Sequence, residues 1–223
     1  MAQLGDTIRL VELVCARLCH DLGGLIGTVG NALEMVAEDT DRQNEVLAFA
    51  MSAAKALTQR LRLMRAAWGP EVDALAISEL LDLAVPPLAA RRVGIDTRTL
   101  SPGCVFPPRV GRVVLNLIIL AGDCLPKGGT ISLAGEPEDL LIRIDGLDAA
   151  WPPGLTACMH DEAAAIAALN GARSVQMPLT VLLALSRKLR LSPVLGPVSG
   201  VEALRLVASG SKASAGPERS NKK

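Results

Sequence analysis

Residues 43–68, QNEVLAFAMSAAKALTQRLRLMRAAW, decide the architecture. Within this stretch Leu47, Ala50, Ala54, Leu57, Leu61, Met64 and Trp68 step alternately by three and four, the seam of a coiled coil or four-helix bundle. A second helically periodic segment precedes it at 6–38, and only the polar run Glu38-Asp39-Thr40-Asp41 lies between them. The two segments therefore read as an antiparallel helical hairpin. One hairpin supplies two helices, and a second copy of the chain is the simplest source of the other two, which predicts a two-fold homodimer.

Gly69-Pro70 ends the hairpin, because proline cannot continue a helix and pushes its predecessor toward extended geometry. Beyond it the pattern predicts a helix from Ser78 to Arg91, a strand at Val93–Leu100, a helix at Pro108–Leu125, and strands at Thr130–Ala134 and Leu140–Asp145. Helices near Asp161–Leu169 and Leu179–Leu189 follow, then a hairpin at Val194–Val198 and Val201–Val207. The expected fold class is α+β: a hairpin domain over 1–69, an α/β sandwich with helices on one sheet face over 70–208, and a disordered tail over 209–223.

With 23 basic and 23 acidic side chains among 223 residues, the chain has no charge excess to recommend nucleic acid or an anionic membrane surface. No apolar run reaches the roughly 20 residues of a membrane span. The start Met-Ala-Gln-Leu-Gly-Asp lacks the features of a signal peptide, so a cytoplasmic protein is expected. Five cysteines at irregular spacing read as reduced thiols and not as a disulfide framework.

On a helical wheel Val11, Leu18, Leu22, Leu25, Val29 and Val36 fall opposite His20, which is expected to face solvent. Leu13, Ala16, Arg17, Gly23, Gly24, Gly27 and Asn31 fall on its own side. Glycines at 23, 24, 27 and 30 cost the helix about 1 kcal/mol each relative to alanine. Burial of the opposite face outweighs that cost, so the glycines are read as keeping side chains out of the way of a docking partner. A weak or kinked stretch is the plainer alternative.

Three readings of His20 compete at this point. It is an ordinary surface residue; or, with Cys15 and Cys19, part of a metal or haem site; or a chemically active group. The spacing Cys15-Ala16-Arg17-Leu18-Cys19-His20 is one residue too long for haem attachment, and Cys15 falls on the buried side of the wheel. His160, in Cys158-Met159-His160-Asp161-Glu162, reads as a loop or helix-start residue.

The run Arg17-Leu18-Cys19-His20-Asp21-Leu22, in the first helix of a hairpin that precedes a sandwich domain, resembles the phosphorylated box of dimeric sensor histidine kinases. It is closer still to the ChpT-type histidine phosphotransferases of alphaproteobacterial phosphorelays. The resemblance covers about Leu13 to Val207 and includes the stretch Val114-Leu115-Asn116-Leu117, with Gly23-Gly24-Leu25 standing where family members tend to carry a proline. It implies a degenerate kinase-type ATPase fold for the second domain, since three nucleotide elements are missing. Leu120 stands where a second asparagine would follow Asn116. Asp145-Gly146-Leu147-Asp148-Ala149 keeps the aspartate without the two glycines in register, and Ser174 to Leu179 holds no glycine lid.

The resemblance therefore implies a phosphotransferase that does not use ATP. His20 would take a phosphoryl group from a receiver-domain aspartate of a hybrid histidine kinase and pass it to a response regulator. The chain itself would need no cofactor, because the receiver would bring magnesium and the charge clamp. Imidazole titrates near neutrality and keeps a nucleophilic nitrogen, and Asp21 is expected to orient it. Leu13, Arg17, Gly24 and Gly27 on the first helix, with Arg62 or Arg65 on the second, are expected to touch the receiver. An ATP-dependent kinase with divergent motifs and a non-catalytic receiver-binding scaffold are the alternatives.

Overall fold

In the computed structural model, residues 2–38, 43–70, 73–101, 103–194 and 201–208 are described. Helix α1 runs from Ala2 to Glu38 unbroken through Gly23, Gly24, Gly27 and Gly30, and α2, Gln43–Trp68, lies alongside it. The expected turn at 39–41 falls outside the described residues, as does the tail from 209.

The second unit opens with β1 (Leu75–Ala76) and α3 (Ile77–Ala89). It continues through β2 (Val93–Leu100), β3 (Val105–Phe106), α4 (Pro108–Asp123), β4 (Gly129–Glu136) and β5 (Asp139–Asp145). Then come the short α5 (Leu155–His160) and α6 (Glu162–Ala167), α7 (Gln176–Ser186), β6 (Leu189–Val194) and β7 (Ala203–Ala208). Five strands form one sheet in the order β2-β4-β5-β7-β6, with β2 parallel to β4 and every other pairing antiparallel.

Strand alternation turns Ile131, Leu133, Leu140, Ile142, Ile144, Leu204 and Leu206 to one buried face, where α3, α4 and α7 join them in a continuous core. Arg143 and Arg205 lie on the exposed face. The fold is α+β with helices over one sheet face, as the pattern predicted. Helix α4 is buried nearly all round, from Val110 to Gly122, because the sheet unit's core and the end of the hairpin cover it on opposite sides. Leu63 and Ala67 of α2 belong to that same core.

The elements after residue 150 depart most from expectation. Helix α7 starts three residues earlier than predicted, with Pro178 in its first turn, where a missing N–H costs no intrahelical bond. It also ends earlier: Lys188 adopts a left-handed φ of 56°, which releases Leu189 and Leu191 to bury alternate side chains in β6. The last hairpin therefore pairs 189–194 with 203–208, and residues 195–198 of the expected strand lie outside the described residues. Helix α5 is not anticipated by the pattern, and it starts directly after Pro152-Pro153-Gly154.

Candidate functional site

His20 stands on α1 with its side chain 58% exposed, and its Nδ1 lies 3.3 Å from Oδ1 of Asp21. Asp21 is itself tightly held. Its other oxygen, Oδ2, accepts from Arg17 Nε at 2.8 Å and from Arg60 Nη2 of α2 at 2.7 Å. Arg17 also donates from Nη2 to Asp123 at the end of α4, 2.9 Å away, and from Nη1 to the carbonyl of Arg173 at 3.0 Å. Arg91, beyond α3, binds the remaining oxygen of Asp123 at 2.9 Å. Arg17, Asp21, Arg60, Arg91 and Asp123 line, with Pro86 and Pro87, a cleft of about 330 Å3 between the hairpin and the sheet unit.

Burial alone would raise the Asp21 carboxyl, but the hydrogen bonds from Arg17 and Arg60, with their charges, hold it below the ordinary carboxylate range. Arg17 answers it. Burial opposes its charge, and Asp123 and Asp21 together more than restore it, so the guanidinium titrates above its usual value. The site is thus a pre-formed chain of charge-assisted bonds, with an exposed imidazole at one end.

Leu13 and Arg17, expected on an open face, are both covered. Leu13 is 7% exposed and packs with Leu169 and Val175, and Arg17 is equally buried. The wheel allows α1 one buried side, yet α1 has two neighbours. The stripe through Leu10, Leu13, Val14 and Arg17 is covered by the 169–175 segment of the sheet unit, to which Arg9 also donates at Leu169 O. The same geometry leaves Val11 and Cys15 exposed where the wheel buries them. Leu18, Leu22, Leu25, Val29 and Val36 are half-buried.

Gly24 and Gly27 face open space, since a Cβ built at either meets nothing within 4 Å. Arg62 and Arg65 are exposed on α2. Neither is the arginine that joins the site. A hairpin turning near residue 40 sets His20 level with about residue 61, and Arg60 is the side chain that reaches across. Asp123 and Arg91 carry no sequence signal, because their meeting with Arg17 depends on how the two units dock. His160 ends α5, while its neighbour Asp161 caps α6 by accepting from Ala163 N at 2.9 Å. Three cysteines are buried, and burial pushes the Cys124 thiol up to about 12. Among the described residues no cluster of three or more His, Cys, Asp or Glu side chains is placed to hold a metal ion.

Asn116, the residue that resembles a nucleotide-binding asparagine, is fully buried. Its amide donates to Ala67 O at 2.8 Å and Arg112 O at 2.9 Å, while its Oδ1 accepts from Gln176 at 3.1 Å. With Arg112, which donates to Ala67 O and Trp68 O, it caps the carbonyl end of α2.

A family model for the histidine phosphotransferase C-terminal domain matches residues 82–195. The chain belongs to the histidine phosphotransferase family. Protein phosphotransferase ChpT of Brucella abortus (strain 2308) is 25% identical over 192 residues, covering 84% of this chain and 90% of that one. A bacterial phosphotransferase of known structure shares the fold, with a TM-score of 0.69 and 22% identity over 89% of this chain and 95% of the other. Membership of this family makes the chain a phosphorelay histidine phosphotransferase, and neither the kinase nor the scaffold alternative is favoured. No helix among the described residues is long and apolar enough to cross a membrane.

Proposed function

We propose that His20 is the phosphoryl carrier: it accepts the group from the aspartyl phosphate of a hybrid kinase's receiver domain and passes it to the aspartate of a response regulator. The observation that carries this reading is the exposed imidazole whose Nδ1 faces a carboxylate clamped by two arginines. The family match covers the sheet unit and not α1, so the choice of His20 rests on this geometry.

In the first step the Nε2 lone pair attacks phosphorus. An N–P bond forms as the P–O bond to the donor carboxylate breaks, and that carboxylate departs with the bonding pair. The proton stays on Nδ1, shared with Asp21, whose negative charge offsets the positive charge developing on the ring. In the second step another receiver carboxylate attacks the phosphohistidine and the imidazole leaves neutral. Phosphoryl transfer asks mainly for positioning and charge stabilisation, and the receiver supplies the metal.

We further infer a cytoplasmic homodimer formed through the hairpin, with Gly24, Gly27, Arg62 and Arg65 on the face that meets the receiver, and a sheet unit that holds no ATP. Mixing the purified chain with a receiver domain phosphorylated on its aspartate tests the reading. The label should move to the chain and then to a second receiver, and it should not come from ATP alone. Labelling by ATP alone, or no labelling from any receiver, contradicts it.

A further inference from the structure

Both guanidiniums on Asp21 bind the same oxygen. Arg17 Nε and Arg60 Nη2 both bind Oδ2, and among the described residues Oδ1 faces only the Nδ1 of His20. A carboxylate free to rotate about its side-chain torsions would not keep one oxygen toward the ring. This one is pinned from both sides: Arg60 reaches it from α2, and Arg17 is prevented from swinging by Asp123 and by the Arg173 carbonyl. Side-chain exposure of 8% for Arg17 and 10% for Asp21 keeps water from competing for these bonds.

We propose that Arg60 and Asp123 are positioning residues for transfer at His20, acting through Asp21. An anion held against one ring nitrogen selects the tautomer protonated there, and so leaves the other nitrogen with its lone pair. Arg60 sets that anion directly. Asp123 sets it at one remove, by anchoring Arg17 to the end of α4. The nucleophile is thereby coupled to the seating of the sheet unit on the hairpin: a shift of α4 away from α1 releases Arg17, loosens Asp21 and frees the imidazole to change tautomer. Three cations, Arg17, Arg60 and Arg91, surround the two carboxylates, which leaves this network one positive charge in excess.

This inference rests on His20 as the acceptor, and its test separates the two. Ring-nitrogen NMR shifts of 15N-histidine-labelled full-length chain are recorded without any receiver for the wild type, Arg60→Gln and Asp123→Asn. Transfer rates and receiver affinity are then measured on the same samples. The wild type should hold neutral His20 in the form protonated at Nδ1. Both variants should shift toward the Nε2-protonated form and transfer about tenfold more slowly at unchanged receiver affinity. Arg60→Lys and Asp123→Glu should recover most of both losses. If Asp123→Asn does not fold, the partly exposed Arg60→Gln decides alone. Wild-type tautomer and rate in a variant with a lowered melting temperature would mean that the network only holds the units together, and the proposal falls. A wild-type chain never phosphorylated at His20 overturns the acceptor reading instead, whatever the NMR shows.

Discussion

The Asn116 amide donates to the main-chain carbonyl of Ala67 at 2.8 Å, tying the centre of the most buried helix to the last turn of the hairpin. Arg112 reaches the same carbonyl, so α2 ends on two side chains of α4 and not on water. A group committed in this way cannot also hold a nucleotide's metal and phosphates. Calorimetry with ATP and magnesium should therefore show no binding at micromolar concentration. Asn116→Ala should lower stability by about 1–3 kcal/mol in urea unfolding, because the Ala67 carbonyl loses one of its two donors and the buried Gln176 amide loses an acceptor. Micromolar affinity for ATP would contradict this account of α4.

Asp21 makes acid stability measurable. Its folded pKa lies below the ordinary 3.8, so its contribution is complete above 3.8 and is lost as pH falls through the lower folded value. Asp21→Asn should flatten the loss of stability below about pH 4. At neutral pH it should be less stable than wild type by about 1–3 kcal/mol, since Arg17 loses a charged partner while buried. Parallel acid slopes in the two proteins would show that Asp21 is not the group concerned.

Gly24 and Gly27 separate docking from folding. With open space at both positions, Gly24→Leu or Gly27→Leu gains up to about 1 kcal/mol of helix propensity each. Transfer from a phosphorylated receiver should nonetheless slow sharply, about a hundredfold for a misplacement of about 1 Å. A destabilised chain with normal transfer would place the docking face elsewhere.

Hydrophobic periodicity carried the hairpin, the strands at 93–100, 130–134 and 140–145 and the helix at 108–125 into view, because each rests on a pattern of three and four or of two that survives any tertiary setting. The wheel turned His20 to solvent, but it was the resemblance of Arg17-Leu18-Cys19-His20-Asp21-Leu22 to the phosphorylated box that singled out His20 and Asp21. Leu13 and Arg17 were misplaced because a wheel cannot show that a second body covers a flank of α1. Arg60 lay one residue from the position the hairpin register indicates. Asp123 and Arg91 were invisible, since more than 100 residues separate Asp123 from Arg17 and only docking joins them. The α7–β6 boundary was missed because Lys188 takes a left-handed conformation that no glycine announces.

The hairpin leaves apolar surface uncovered: Ile26, Leu33, Phe49 and Met51 are each more than half exposed. A second copy is expected to cover part of this exposed apolar surface, completing four helices. Sedimentation at micromolar concentration should give the mass of two chains, and Phe49→Asp should reduce it to one by removing about 1.5–3 kcal/mol of burial per protomer. A wild-type mass of one chain would contradict the dimer.

The central claim is that His20 carries the phosphoryl group, and locating the phosphorylated residue tests it most directly. After incubation with a phosphorylated receiver, the chain should hold an acid-labile, base-stable phosphoramidate on the tryptic fragment containing His20. His20→Ala should fold normally, since the side chain it removes is 58% exposed, and should take up no label. Label retained by His20→Ala, or mapped to any other residue, would contradict the account.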